Sequence, residues 1–347
     1  MAFVKLNIAG MSCDDCADSA QQALNTLPGV SAFVSFSRGE AQIETTGETD
    51  MGQLLNAVES KGYGASIQTG NGDTEKDTGD SKLKIAIIGT GASAFAAAIK
   101  AVEEGAQVTL IEGGDVIGGT CVNVGCVPSK IMIRGAHIAR LQAHHAFEGI
   151  ALNQPAINRS ALVRQHQARV EELRHVKYEN ILETNSGINL LRGWARFQDR
   201  NTLIVTLADG SEKTVSADRI LIATGARPTV VDIPGLKETP YWISTDALIA
   251  EQLPEHLVVI GASVVALEMA QAFLRLGSKV TIMARSVFLS KEDPAIGAGL
   301  VKMFEEEGAR VLLHTLPDSV THDGSQFILP SKAGEIRCDQ LLVATGR

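Results

Sequence analysis

Apolar and polar residues alternate over FVKLNI, residues 3–8, the period of a strand with one buried face. The spacing then changes. In CADSAQQALNTLPG, Ala17, Ala20, Leu24 and Leu27 fall on one helical face, and Pro28-Gly29 stops the helix. VSAFVSF and AQIETT return to the strand period around Ser37-Arg38-Gly39-Glu40, which predicts a hairpin. MGQLLNAVESKGY predicts a second helix and GASIQ a last short strand. Residues 69–81, TGNGDTEKDTGDS, hold no large apolar side chain and read as a flexible linker, spanning on the order of 20 Å. From Lys82, KLKIAIIGTGASAFAAAIKAVEEGAQVTLIE gives a strand, a glycine turn, a helix and a strand. HLVVIGASVVALEMAQAFLRLGSKVTIMAR, from His256, repeats it. NTLIVTLADGSEKTVSADRILIATGARP supplies further strands of the first repeat, and CDQLLVATGR echoes its end at the C-terminus.

The expected fold class is therefore α/β. A ferredoxin-like βαββαβ domain covers 1–68, followed by the linker. Two Rossmann-like dinucleotide-binding domains cover 82–230 and 231–347. The sequence stops at Arg347, directly after a strand, where a helix or tail is expected, so a shortened C-terminus is the expectation.

Composition narrows the setting. The chain has 347 residues, 45% apolar and 20% charged, enough for more than one core. The net charge of -9 and the lack of a basic run argue against nucleic acid or an anionic membrane as partner. MAFVKLNIAG is too short and polar for a signal peptide, and no apolar run approaches a membrane span. A cytoplasmic location follows, where a close cysteine pair reads as metal-binding or catalytic before structural.

In the first repeat Gly89, Gly91 and Ala94 form a GxGxxA turn. The first glycine permits the tight turn, the second admits a pyrophosphate, and the small sixth residue lets helix and strand pack. Glu112 ends the next strand, where an acid can hydrogen-bond ribose hydroxyls. In the second repeat the turn is Gly261, Ser263 and Ala266, with serine at the middle glycine position. There Ala284 replaces the acid and Arg285 follows, so no carboxylate repels a 2′-phosphate and a cation can pair with it. This second site is expected to prefer NADPH to NADH; a solvated surface arginine is the plainer reading. Cys121 and Cys126 lie within GGTCVNVGCVPSK, at the expected start of a helix through Ile131-Met132-Ile133. A helix N-terminus and Lys130 one turn on both favour thiolate.

GGTCVNVGCVPSK, the GxGxxA turn, ATGARP and ATGR resemble the pyridine nucleotide-disulfide oxidoreductases over residues 82–347. The resemblance implies FAD in the first domain and NADPH in the second. It assigns substrate exchange to Cys121 and the flavin-facing thiolate to Cys126. It also implies FAD contacts at Ala94, Gly114, Thr120, Lys130, Ala195 within GWARF, and Gly225 within ATGARP. Finally, it implies a homodimer whose interface domain, together with a last FAD-gripping segment, lies beyond Arg347. The chain as it stands is then expected to hold FAD weakly and to turn over poorly.

The N-terminal GMSCDDC looks like the GMxCxxC site of heavy-metal-associated domains. Cys13 and Cys16 at this spacing on a loop suit a soft, low-coordinate ion such as Cu(I) or Hg(II). A CxxC pair also serves as a redox pair or as half of a zinc site. Joined to the oxidoreductase core, it resembles those family members that reduce Hg(II). In ELRHVKYEN, Tyr178 falls where they carry a tyrosine beside the mercury. The implied path takes Hg(II), arriving as a thiol complex, from Cys13 and Cys16 to Cys121 and Cys126 by thiolate exchange. Two other readings stand beside it: a reductase of small organic disulfides, and a non-catalytic metal-binding fragment. Cys338 reads as a core residue, His137, His144 and His145 as surface histidines on a helix, and Met11 as packing its loop.

The expected outcome for the first pair is Hg(II) binding by residues 1–68 alone. Thiol counting during an Hg(II) titration checks it. Undiminished affinity in Cys13→Ala/Cys16→Ala rules out the assignment.

Overall fold

A computed structural model describes residues 2–11, 14–36, 39–45, 50–68 and 82–347. Cys13, the tip of the expected hairpin at Ser37-Arg38 and the expected linker at 69–81 lie outside the described residues. The chain divides into two compact units, Met1–Ser81 and Lys82–Arg347.

The first unit runs β1 (Ala2–Ala9), α1 (Asp14–Asn25), β2 (Val30–Ser35), β3 (Glu40–Thr45), α2 (Met51–Glu59) and β4 (Gly64–Gln68). Its antiparallel sheet has the order β2-β3-β1-β4, the ferredoxin-like arrangement. Period-two patterning puts Val4, Leu6 and Ile8 on the same buried face as Ala41 and Ile43. Ala17, Ala20 and Leu24 of α1 cover that face together with Leu54 and Val58 of α2. Asp50 starts α2 by accepting the Gly52 N–H at 2.9 Å.

The second unit opens with β5 (Lys84–Ile88), α3 (Ala92–Glu103) and β6 (Gln107–Glu112). Two consecutive helices follow, α4 (Gly119–Val124) and α5 (Cys126–Ala143), then α6 (Arg159–Arg174). A π turn at His175–Glu179 leads into α7 (Asn180–Thr184). Next come β7 (Ile188–Arg192), β8 (Trp194–Phe197), β9 (Thr202–Thr206), β10 (Glu212–Ser216) and β11 (Arg219–Ile222). The parallel sheet has the order β11-β5-β6-β7, and β10-β9-β8 form a separate antiparallel sheet.

The pattern then repeats with α8 (Ser244–Ile249), β12 (His256–Ile260), α9 (Val264–Leu276), β13 (Lys279–Met283), α10 (Pro294–Glu306) and β14 (Arg310–Leu312). An antiparallel sheet of β15 (Thr321–His322), β16 (Phe327–Leu329) and β17 (Ile336–Cys338) precedes β18 (Gln340–Val343). The parallel order β14-β13-β12-β18 matches that of the first half strand for strand. β12 and β13 are almost wholly buried, as sheets covered on both faces require. Gly277, left-handed at φ +113, ends α9, while Asp293 and Pro294 start α10.

One core spans both halves. Met132, Ala136 and Ala139 of α5 pack with Phe273, Leu267 and Ala270 of α9. α5 is thus both the helix after the thiols and a wall of the second half. It ends at Ala143, so His144 and His145 lie in the loop beyond it instead of on the expected helix. Cys338 is buried at the end of β17, where desolvation pushes its thiol up to about 12.

Candidate dinucleotide cleft and thiol pair

The site forms where three glycine-bearing loops leave the carboxyl edge of the first parallel sheet. Gly89 ends β5 with φ +113, and a Cβ there would lie 2.3 Å from the Ala223 carbonyl oxygen, so no side chain fits. Gly91 caps α3 with no side-chain hydrogen bond, which leaves the amides of the first turn free to meet an anion. Ala94 is fully buried against Ile87 and Leu110, where its small side chain sets the helix close to the sheet. Gly118 N–H donates to the Thr90 carbonyl at 2.9 Å. A Cβ on Gly119 would lie 2.6 Å from the Gly91 Cα, so the two loops touch backbone to backbone.

These loops, with β8 and the segment after β11, enclose a cleft of about 860 Å³. Of the residues expected here, Gly89, Gly91, Glu112, Gly114, Thr120, Cys121, Ala195 and Gly225 all line it. A volume of this size accommodates a cofactor. The Glu112 carboxylate already has two partners. It accepts the Gly114 N–H at 2.6 Å and the Thr90 hydroxyl. The acid thus ties two cleft loops together.

The expected single helix carrying both cysteines is split. Gly118, left-handed at φ +95, starts α4, and Gly125 breaks it from α5 with φ -134 and ψ -110. Cys121 lies inside α4, whereas Cys126 is the first residue of α5, and both are free thiols. The Cys121 thiol is pushed up, not down. The largest cause is its hydrogen bond to Cys126, followed by desolvation and the Cys126 charge. Lys130 acts in the other direction, but its ammonium is paired with Glu268 of α9 at 2.6 and 2.8 Å. Lys130 therefore spans to the second half and does not line the cleft.

Tyr178 lies on the π turn. Its ring meets Phe95 edge-on at 4.9 Å and packs against Gly118, where a Cβ would lie 3.3 Å from it. Desolvation, then the charges of Cys121 and Cys126, push its phenol up. The sequence reading missed Asn123. Its amide donates to the Ile117 and Gly119 carbonyls at 2.8 and 2.9 Å, closing the turn that carries Cys121. Its place inside the thiol motif was the available signal. Trp194, also missed, packs its indole where a Gly113 Cβ would sit, 2.6 Å from the ring.

In the second half Gly261 has φ +145, and a Cβ there would lie 2.3 Å from the Ala344 carbonyl oxygen. Ser263 caps α9, accepting the Ala266 N–H at 3.4 Å and donating to the Ala344 carbonyl at 3.2 Å. Ala266 and Ala284 are fully buried, while Arg285 is exposed and makes no ion pair among the described residues. In the first unit Cys16 is half-buried at the start of α1, with Met11 packed against the core beside it.

The family model for pyridine nucleotide-disulphide oxidoreductases matches residues 83–347, and that for the heavy-metal-associated domain matches residues 5–64. Mercuric reductase of Shewanella putrefaciens is 52% identical, covering 99% of this chain and 64% of that protein. Mercuric reductase of Serratia marcescens is 51% identical, over 91% of this chain and 73% of that protein. The chain thus spans less than two thirds of the length of the Shewanella relative. Among solved structures, the Cu(II) complex of HOCl-induced flavoprotein disulfide reductase RclA from Escherichia coli matches with a TM-score of 0.67 and 28% identity, over 77% of this chain and 57% of that one.

Removing Cys126 removes the largest cause that holds the Cys121 thiol up. In Cys126→Ala the pH profile of Cys121 alkylation by iodoacetamide is therefore expected to move to lower pH. An unmoved or upward-shifted profile contradicts the coupling.

Proposed function

The chain belongs to the pyridine nucleotide-disulphide oxidoreductase family, and from that membership we propose that it serves the NADPH-driven reduction of Hg(II) to Hg(0) with FAD as its resident cofactor. One observation carries the reading. A free thiol pair stands at a glycine-walled cleft, in a chain that also holds a heavy-metal-associated domain.

The cleft residues fit a dinucleotide. The uncapped first turn of α3 offers backbone amides to a pyrophosphate, and the glycines at 89, 91 and 119 leave no side chain in its way. Glu112, Gly114, Thr120, Ala195 and Gly225 would hold the remainder. FAD, when bound, supplies two-electron transfer between a nicotinamide and the thiol-held metal. NADPH is placed at Gly261, Ser263 and Ala266, with Arg285 as the counter-charge to its 2′-phosphate. The overall balance is NADPH + Hg(II) → NADP+ + H+ + Hg(0).

Cys13 and Cys16 capture Hg(II), delivered as a thiol complex, and pass it to Cys121 and Cys126. Each transfer forms one Hg–S bond as another breaks, so no free ion is released. Cys121 is the sulfur that exchanges with the incoming complex, and Cys126 is the one that faces the flavin. Tyr178, packed against Gly118 at the start of the turn that carries Cys121, is the residue that would stand beside the metal. The reading includes a homodimer and a cytoplasmic setting; no described helix is long and apolar enough to cross a membrane.

The test supplies the full chain with FAD, NADPH and HgCl2 and follows NADPH oxidation together with mercury vapour. Hg(II)-dependent oxidation is expected, lost by at least a hundredfold in Cys121→Ser and in Cys126→Ser. Equal oxidation with glutathione disulfide or lipoamide in place of Hg(II) would point instead to a disulfide reductase.

Cofactor choice gives a second test. Loss of a charge-assisted pair costs about 1.5–3 kcal/mol, so Arg285→Ala is expected to weaken NADPH binding by roughly ten- to a hundredfold with NADH affinity unchanged. A constant NADPH/NADH ratio removes Arg285 from the site.

A further inference from the structure

We infer that Arg174, acting through Asn123, is a positioning residue that sets the thiol–disulfide equilibrium of Cys121 and Cys126; this rests on the reading of that pair as the redox centre. α4 is a short helix between two glycine breaks, Gly118 and Gly125, and so has little stability of its own. The Asn123 side chain holds its turn through two donated hydrogen bonds, and Arg174 grips the other end of the same amide, Nη1 to Oδ1 at 3.1 Å.

Arg174 is fixed in turn. Its Nε donates to Glu179 at 3.3 Å, and the second Glu179 oxygen meets His175 Nδ1 at 3.1 Å. Arg174 and Glu179 are five residues apart, which in an α-helix sets side chains about 140° apart around the axis. The π turn removes this offset. Asn180 N–H bonds the His175 carbonyl in the i→i+5 pattern that brings such positions onto one face. The extra residue in the helix is therefore what lets Glu179 reach Arg174. The same turn presents Tyr178 to Gly118. A chain of polar contacts thus runs from an irregular helix turn to the segment that carries Cys121.

The reaction affected is P(SH)2 + GSSG ⇌ P(S–S) + 2 GSH, in which Cys121 and Cys126 each lose a proton and one electron and glutathione disulfide is reduced. Holding α4 keeps the Cys121 sulfur near Cys126 and raises its effective concentration there. Releasing the clamp lowers the equilibrium constant for disulfide formation.

The full chain is equilibrated anaerobically in glutathione buffers of graded ratio, and the peptide holding Cys121 and Cys126 is scored by differential alkylation and mass spectrometry. Arg174→Gln and Asn123→Ala are each expected to lower the constant about tenfold, equivalent to about 30 mV for this two-electron couple. The double variant is expected to fall no further than either single one, because both act through one contact. A purely structural role would lower the thermal midpoint and leave this constant in place. If Arg174→Gln does not fold, Arg174→Lys carries the test, with a smaller shift in the same direction. Constants within twofold of the unsubstituted chain, or additive effects in the double variant, overturn the inference. Failure of the unsubstituted chain to form the disulfide at any ratio would instead overturn the reading of the pair itself.

Discussion

The site depends on one close approach, that of the Gly91 and Gly119 backbones. A single methyl group on Gly119 would lie 2.6 Å from the Gly91 Cα. Because neither position carries a side chain, the start of α4 can lie against the start of α3. The Gly118 amide then reaches the Thr90 carbonyl. Cys121 thereby becomes part of the wall of the cleft that the first turn of α3 faces. Thr90 and Gly114 both bond Glu112, so the third loop is tied to the same point. Backbone amides without a side-chain cap and a thiol share one small space because three loops can pack without side chains between them.

The two halves show how one topology takes on different electrostatics. Both run strand, glycine turn, helix, strand, and both need a glycine whose Cβ would strike a carbonyl just past the neighbouring strand, at Ala223 and at Ala344. Yet α3 begins uncapped, while α9 begins with the Ser263 hydroxyl on its own amide. One half places a carboxylate at the end of its second strand. The other places a buried alanine and an exposed arginine there. The backbone gives both halves the same turn, and these few side chains give the two turns different charge.

Much of this was legible in the sequence. Period-two and period-3.6 patterns identified the ferredoxin-like order and both Rossmann-like openings, because sheets and helices with buried faces leave such periods behind. The glycine turns announced themselves through small residues at fixed spacing. The split between α4 and α5 was not legible, since Gly125 within a helix-like run reads as tolerated, and only its backbone angles show the break. The thiol shift was missed for a related reason. A helix-terminus argument treats each cysteine alone, whereas the sulfurs act on each other across the break. Lys130 looked like a cation for the thiols or the cofactor. Its partner Glu268 is far along the chain, and no local pattern reveals such a pair. The Arg174–Glu179 contact was hidden too, because its spacing is wrong for an α-helix.

The shared core has a consequence for cooperativity. Met132, Ala136 and Ala139 belong to the helix that follows the thiols, yet they are buried among residues of the second half. That half cannot melt without exposing one face of α5, so residues 82–347 are built to unfold as a single block. Among the described residues, the core of the first unit, by contrast, draws only on residues up to Ile67. Residues 82–347 thereby form one foldon through their shared core.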